Sequence, residues 1–428
     1  TSTLEELFDV VALLSTQPPP LGPRVGVVTN AGGPGILLAD ACEAQGLVLP
    51  ELDPASLEKL RSVLPAAAGF KNPIDMIASA TPEQYERTIE VVGQDPNVDA
   101  VIVVFVPPLV TTAEEIAVAV ARSASTVPAH KTVLTVFLAS KSAPPMLPTG
   151  GRGRLPVYTF PENAARALGA ALKYQRWRER PAGEVVRLTD EQRAEARRIV
   201  QKSLDARSER HWLETEDVRA LLEVAGIAMA DIRVTGPEEA PAVARAMGFP
   251  LVAKAVAPGL VHKTDVGGVV LNLRGEAEVA AAVAAMRESL AKAGFALEKV
   301  ILQRQIEGGI EALVGVVVDP TFGPLLVCGI GGVQVELLRD VSFHLPPVSD
   351  LDAAEMIDRL RLRPLFDGYR GSPPADRAAL IVLLQRLSAL VEEMPELKEL
   401  DLNPVRVMRP GEGAIVVDAR ILVGRPGS

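Results

Sequence analysis

The sequence predicts an α/β protein whose first half winds helices over a parallel sheet and whose second half is α+β. Two patterns carry this. Between residues 20 and 165, short runs of apolar residues, glycine turns and helical stretches recur in the order of strand, turn and crossover helix. Beyond residue 190 the texture changes to short strands alternating with helices, without an internal repeat of fixed period. Size agrees: 428 residues suggest roughly three domains at about 150 residues each.

The elements follow from local chemistry. Leu4, Leu7, Phe8, Val11 and Leu14 recur at helical spacing, and Pro18-Pro19-Pro20 ends that helix. Residues 24–29 read as a buried strand, the run Asn30-Ala31-Gly32-Gly33-Pro34-Gly35 as a turn, and 36–45 as a helix. Residues 100–106 are seven consecutive apolar residues, mostly β-branched, as an interior parallel strand requires. Strands at 132–138 and 155–159 and a helix at 112–124 complete the first half. A helix over 162–180 runs into Pro181-Ala182-Gly183, which sets a linker at 179–190, and Thr189 with acidic followers caps the next helix. In the second half, strands are expected at 250–255, 267–273, 299–305, 311–318 and 324–328. Helices are expected at 237–247, 276–293, 352–360 and 375–393.

Composition removes several functions. The longest apolar run, residues 100–108, falls well short of the ~20 residues that cross a bilayer. A net charge of −10, from 44 basic and 54 acidic residues, opposes a nucleic-acid footprint. Cys42 and Cys328 lie far apart in apolar or glycine-rich segments, which fits a reducing cytoplasm rather than a disulfide framework or zinc site. The chain opens on Thr1-Ser2-Thr3 without Met or signal peptide, which reads as a piece of something longer.

Four segments could carry chemistry. Asn30, Gly32, Gly33 and Gly35 offer bare backbone N–H groups at a helix start, suited to an anion, although no Lys-Ser/Thr follows as in a P-loop. Lys254 ends an apolar strand, where an unpaired ammonium is costly, and His262 follows in a polar, glycine-flanked loop. Gly329, Gly331 and Gly332 follow a strand and let a backbone lie close to a ligand. A hairpin centred between Pro410 and Gly411 sets Asn403 opposite Asp418, and Asp401 shares the face of Asn403; a centre one position later shifts the pairing by one. Oxygen donors beside a phosphate site suit Mg²⁺. Each segment has a bland alternative: a tight turn, a solvated loop, a mobile hairpin, a polar rim. Together they form a nucleotide and magnesium inventory for phosphoryl transfer.

On these motifs the chain resembles the NDP-forming acyl-CoA synthetases, relatives of succinyl-CoA synthetase. The resemblance rests on 251–254, 262–269, 319–324, 329–333 and 399–404, and in the first half on 27–35 and 72–75. It implies a flavodoxin-like, doubly wound ligase domain at 18–178 and a two-lobed ATP-grasp domain at 191–428, with 1–17 as a helix closing an upstream domain. It implies the reversible conversion of acyl-CoA, ADP and phosphate to acid, CoA and ATP through phosphohistidine. In that likeness Lys254 holds ATP phosphates, and Gln303, Arg304, Gln305 and Ile306 form the hinge beside adenine. Glu311 is a further nucleotide contact, Gly331 and Gly332 belong to a glycine loop over the nucleotide, and Asn403 and Asp418 are Mg²⁺ ligands. Asp401 lies near the phosphorylated histidine, and His262 is a second, relaying histidine. Neutral imidazole suits that relay as nucleophile and phosphoryl donor. The family's CoA-binding and phosphohistidine domains are expected before residue 1 or on another subunit, so CoA and the acyl substrate would be bound with those parts, and the complete enzyme is expected to be oligomeric. Two rivals are a non-catalytic regulatory module of a protein acetyltransferase and an ATP-grasp ligase with another acceptor. Retention of His262, Asp401, Asn403 and Asp418 favours an enzyme over the first, and the Asn30–Gly35 segment speaks against the second.

Overall fold

The computed structural model describes residues 1, 3–108, 112–138, 146–149, 151, 153–207, 209–260, 266–332 and 340–425. The chain divides into two compact units, Thr1–Pro181 and Ala182–Ser428.

In the first unit, β1 (Val25–Thr29), β2 (Ile74–Asp75), β3 (Ala100–Phe105), β4 (Thr132–Phe137), β5 (Met146–Thr149) and β6 (Gly153–Tyr158) form one sheet in the order β2-β1-β3-β4-β6-β5. All neighbours are parallel except β5 on β6. Both faces are buried, which is why the strands read as unbroken apolar runs. Val101, Val103 and Phe105 pack with Ile89 and Val92 of α4 (Pro82–Gln94) and with Ile116 and Val120 of α5 (Ala113–Ala124). Ala100, Ile102 and Val104 pack on the opposite side with Leu38 and Cys42 of α2 (Gly32–Ala44) and Leu168 of α6 (Pro161–Glu179). α3 (Pro54–Val63), β2, α4 and β5 went unread in the sequence: β2 is two residues long, too short for a period.

One expectation needs correction. Gly32, Gly33 and Gly35 are not a turn ahead of the helix; they form the first turn of α2 itself, where Pro34 is tolerated because early helix N–H groups have no intrahelical partner. α1 (Leu4–Leu14) forms as the spacing predicts, with Leu4, Phe8 and Val11 exposed and Leu13 buried. The helix rests on α6 through polar contacts, Asn163 Nδ2 donating to Glu5 Oε1 at 2.7 Å and to Asp9 Oδ2 at 2.8 Å.

In the second unit, α7 (Asp190–Ala206) starts at a reciprocal cap in which Thr189 Oγ1 accepts from Gln192 N and Thr189 N donates to Gln192 Oε1. β8 (Ile232–Thr235), β9 (Leu251–Val256), β10 (Val269–Leu273) and β11 (Lys299–Arg304) pair antiparallel in the order β10-β9-β11-β8. One face is covered by α9 (Ala240–Met247) and α10 (Glu276–Lys292). The larger sheet runs β14-β13-β12-β15-β17-β7, with β16 on β15. Its strands are β7 (His211–Trp212), β12 (Ile310–Asp319), β13 (Gly323–Ile330), β14 (Val341–His344), β15 (Leu397–Val407), β16 (Ala414–Val416) and β17 (Ala419–Val423). Ala312, Val314, Leu400, Leu402, Ile421 and Val423 point into a core with α7, α8 (Thr215–Val224), α11 (Asp350–Asp358) and α12 (Arg377–Glu393). The two-residue period therefore turns Asp401 and Arg420 to the other face.

Candidate nucleotide site

The site grows out of strand alternation. In β9, Leu251, Ala253 and Ala255 enter the core of the smaller sheet, so Val252 and Lys254 turn the other way. On the neighbouring β11, Val300 and Leu302 enter the same core, leaving Ile301 and Gln303 on the opposite face. Lys254, Ile301 and Gln303 line a cavity of about 250 Å³ in the second unit, with Met229, Ile232, Asp418 and Arg420 among its other walls. Its lining combines apolar side chains with the charged Lys254, Asp418 and Arg420, a combination suited to a base and its phosphates.

Lys254 is a part-buried charge of this cavity, with 13% of its side chain exposed; its Nζ lies 3.5 Å from Asp418 Oδ1. Such a distance satisfies an ammonium poorly, and a desolvated lysine facing open volume calls for a further anion.

Asp418 comes from the hairpin. Val405 faces Val416, Arg406 faces Ile415 and Val407 faces Ala414, the register centred between Pro410 and Gly411. Asn403 N accordingly donates to Asp418 O at 3.1 Å, and Val417 N to Pro404 O at 2.9 Å. One detail differs from expectation: β16 stops at Val416, so Asp418 sits at the break before β17 rather than inside a strand. Asp401 faces Arg420 across the next pair. Burial pushes the Asp401 carboxyl above its ordinary range, Arg420 draws it back, and Asp418 and Glu399 add to the rise.

The hinge residues separate. Gln303 is 1% exposed and lines the cavity. Arg304 points away, its Nη1 donating to Phe249 O at 3.3 Å. Gln305 Oε1 accepts from Asn272 N at 2.7 Å, and Ile306 is half-buried beyond the strand. Glu311 pairs with Arg406 at 2.7 Å and sits under the glycine loop, where Gly331 N donates to Glu311 O at 2.7 Å. A Cβ on Gly331 would stand 2.8 Å from Glu311 Cβ, and Gly332 holds φ +83°, so these two positions require glycine. His262 and the continuation of the glycine loop at 333–339 lie outside the described residues.

The first-unit motif sits where the sheet order reverses between β1 and β3, the place where open α/β sheets bind ligands. There Asn30 ties two strand ends together: its Nδ2 donates to Val106 O at 2.8 Å and its Oδ1 accepts from Val106 N at 2.9 Å. Gly32 lies against Asp75, a Cβ there meeting Oδ2 at 3.1 Å; Gly33 is open, and Gly35 is buried against Thr29 and Pro73. The N-terminus of α2 carries no side-chain cap.

Comparison with known proteins then decides the family. Residues 205–423 match the ATP-grasp domain and residues 25–142 the Ligase-CoA domain. The chain is 35% identical over 233 residues to the beta subunit of an ADP-forming acetate–CoA ligase of Pyrococcus furiosus, covering 98% of that subunit and 54% of this chain. The chain belongs to the ADP-forming acyl-CoA synthetase family. It is also 34% identical over 428 residues to an ADP-forming acetate–CoA ligase of Archaeoglobus fulgidus, covering 99% of this chain and 60% of that protein. The chain thus spans about 60% of the length of such relatives. Among solved structures, an acetyl-coenzyme A synthetase of Ca. Korarchaeum cryptofilum, in complex with coenzyme A and Ca-AMPCP, superposes with a TM-score of 0.50 at 37% identity. That match covers 53% of this chain and 99% of the other. The family explains the two-part architecture: a parallel-sheet domain with the Ligase-CoA signature and an antiparallel, two-sheet ATP-grasp unit.

Sequence reasoning overlooked Trp212 and Arg420, both on the cavity wall. Arg420 could have been read from Asp418 by the two-residue period, whereas Trp212 lies on a two-residue edge strand.

Proposed function

We propose that this chain is the nucleotide-binding and phosphoryl-transfer portion of an ADP-forming acetate or acyl-CoA ligase. The observation that carries the reading is the part-buried Lys254 facing Asp418 at 3.5 Å on the wall of a cavity that Gln303, Arg420 and apolar side chains also line. The reaction is acyl-CoA, ADP and phosphate to acid, CoA and ATP, run reversibly through phosphohistidine: a β-phosphate oxygen of ADP attacks phosphorus while the P–N bond breaks. Lys254 neutralises phosphate charge, and Gln303 with Ile301, Met229 and Ile232 seats the base. The backbone at Gly331 and Gly332, which passes close over Glu311, would present main-chain N–H groups to the phosphate chain. Arg304, Gln305 and Ile306 act through main chain only.

Asn403 and Asp418 would hold Mg²⁺. Two oxygen donors are few, and among the described residues no group of three or more His, Cys, Asp or Glu is poised for a metal. Sparse protein ligation suits Mg²⁺, which takes its remaining ligands from phosphates and water. When bound it neutralises charge developing on the transferred group. Asp401 orients the incoming histidine, and His262 relays the phosphoryl group. In the first unit, the α2 N-terminus at Gly32, Gly33 and Gly35 contacts the phosphohistidine segment, with Asn30 fixing its approach. CoA and the acyl group bind with a portion outside these residues or on another subunit.

The test mixes the chain with the histidine-bearing alpha subunit of an ADP-forming acetate–CoA ligase and ATP labelled at the γ-phosphate. Label reaches the partner with the native chain, and His262→Ala blocks this while leaving nucleotide affinity unchanged. Equal transfer by the variant removes His262 from the mechanism; acyl-CoA synthesis by the chain alone contradicts the division of labour.

A further inference from the structure

We infer that Arg420 is a catalytic residue of the phosphoryl transfer, its guanidinium gripping the group as it passes between nucleotide and histidine. The inference rests on the reading of the cavity as a phosphoryl-transfer site and adds the residue that acts on the moving group. Along β17, Ile421 and Val423 enter the core of the second unit, so Arg420 turns to the opposite face. The antiparallel register sets it directly across from Asp401 of β15, whose neighbours Leu400 and Leu402 enter the same core. Arg420 also lines the cavity with Lys254 and Asp418, whereas Asp401 does not. It therefore stands where the two halves of the reaction meet, with the nucleotide cavity on one side and the carboxylate that receives the histidine on the other.

The donors of the cavity divide by chemistry. Lys254 has 13% of its side chain exposed and faces Asp418 at 3.5 Å, which suits it to the charge of the resting nucleotide. Thr215 and Trp212 each bring a single neutral side-chain donor. Arg420 is exposed, so water screens its pull on a bound nucleotide and its contribution to affinity is small. An incoming histidine-bearing segment changes this, because it displaces the water and leaves the same guanidinium acting at short range in a lower dielectric. The planar fork carries five N–H donors, enough for one edge to face Asp401 while another spans two phosphoryl oxygens. In the step itself, the lone pair of the unprotonated imidazole nitrogen forms the P–N bond. The bond from the γ-phosphorus to the β,γ-bridging oxygen breaks, and its electron pair leaves with ADP. The other imidazole nitrogen keeps its proton throughout. Charge shifts over the bridging and equatorial oxygens of the group in flight, where a positioned cation contributes most.

The experiment uses the whole chain with the histidine-bearing alpha subunit and compares the native protein with Arg420→Ala and Arg420→Lys. Calorimetric titration gives the affinity for Mg·ATP. Single-turnover labelling at saturating nucleotide gives the transfer rate from ATP and from ATPγS, in which sulfur replaces one oxygen of the moving group. The expected result is unchanged affinity in both variants and transfer slowed roughly 100-fold or more in Arg420→Ala. The preference for ATP over ATPγS shrinks with it, because the contact to those oxygens is gone. Arg420→Lys recovers part of the rate, and free guanidinium ion speeds Arg420→Ala without speeding the native chain. If the alanine variant does not fold, Arg420→Lys carries the same comparison. Near-native transfer by Arg420→Ala overturns the inference. A loss confined to affinity overturns it too, since Arg420 would then hold only the resting nucleotide. Slowed transfer with an unchanged preference for ATP over ATPγS also overturns it, because the side chain would then act only through Asp401. Absence of labelling with the native chain overturns the phosphoryl-transfer reading itself.

Discussion

Asp376 shows how one carboxylate can hold a site at a distance. It is the N-cap of α12, with Oδ1 accepting from Ala379 N at 3.0 Å, while Oδ2 accepts from Gly411 N at 2.8 Å and Gly413 N at 3.0 Å. It therefore ties the helix start to the turn that sets the register of Asn403 and Asp418. Burial would raise its pKa, but the hydrogen bonds from Ala379, Gly413 and Gly411 outweigh that and hold it below the ordinary value of 3.8. A carboxyl held low in the folded state stabilises above its unfolded pKa, and the benefit fades as pH falls through the folded one. Asp376→Ala should cost about 1–2 kcal/mol at pH 7, with the difference from the native chain shrinking below about pH 4. Denaturant titrations at pH 7 and pH 3 check this; an equal loss at both would mean that the charge is irrelevant.

At the scale of elements, legibility tracked how much of the information was local. The turn residues Pro410 to Gly413 narrowed the hairpin to two registers one residue apart, and the strand pairing selects the one centred between Pro410 and Gly411. Lys254 was legible because a charge at the end of an apolar strand is anomalous wherever the strand lies. The first turn of α2 was not: glycines favour a turn by propensity, and tertiary packing of Gly35 against Thr29 and Pro73 overrides it. Likewise, Trp212 reaches the cavity only because β7 adds to the edge of β17. Helix α1 is the instructive case. Its periodicity correctly gave a helix, yet periodicity does not say which partner the stripe meets, and in the first unit Leu13 is buried while Phe8 is 69% exposed. Leu13→Ala should cost about 2–4 kcal/mol, whereas Phe8→Ser should change stability by less than about 0.5 kcal/mol. Thermal unfolding of both variants decides; a large loss in Phe8→Ser would place the stripe in the core.

For the whole molecule, two folds with different strand logic share one chain. The first unit buries both faces of a parallel sheet and has its candidate ligand contact at the strand-order reversal. The second turns Asp401 and Arg420 to the face of its larger sheet away from the core, with Lys254 and Gln303 of the smaller sheet lining the same cavity as Arg420. Among the described residues, no helix is long and apolar enough to cross a membrane. The family match places ATP-grasp character over residues 205–423, and the central claim is that the cavity around Lys254 holds a magnesium nucleotide. Calorimetric titration of the chain with Mg·ATP, repeated with Lys254→Met and with magnesium chelated, tests this most directly. Saturable one-to-one binding is predicted, weakened at least tenfold (about 1.4 kcal/mol) by the substitution and weakened again without magnesium. Binding that is absent, or indifferent to both Lys254 and magnesium, would contradict it.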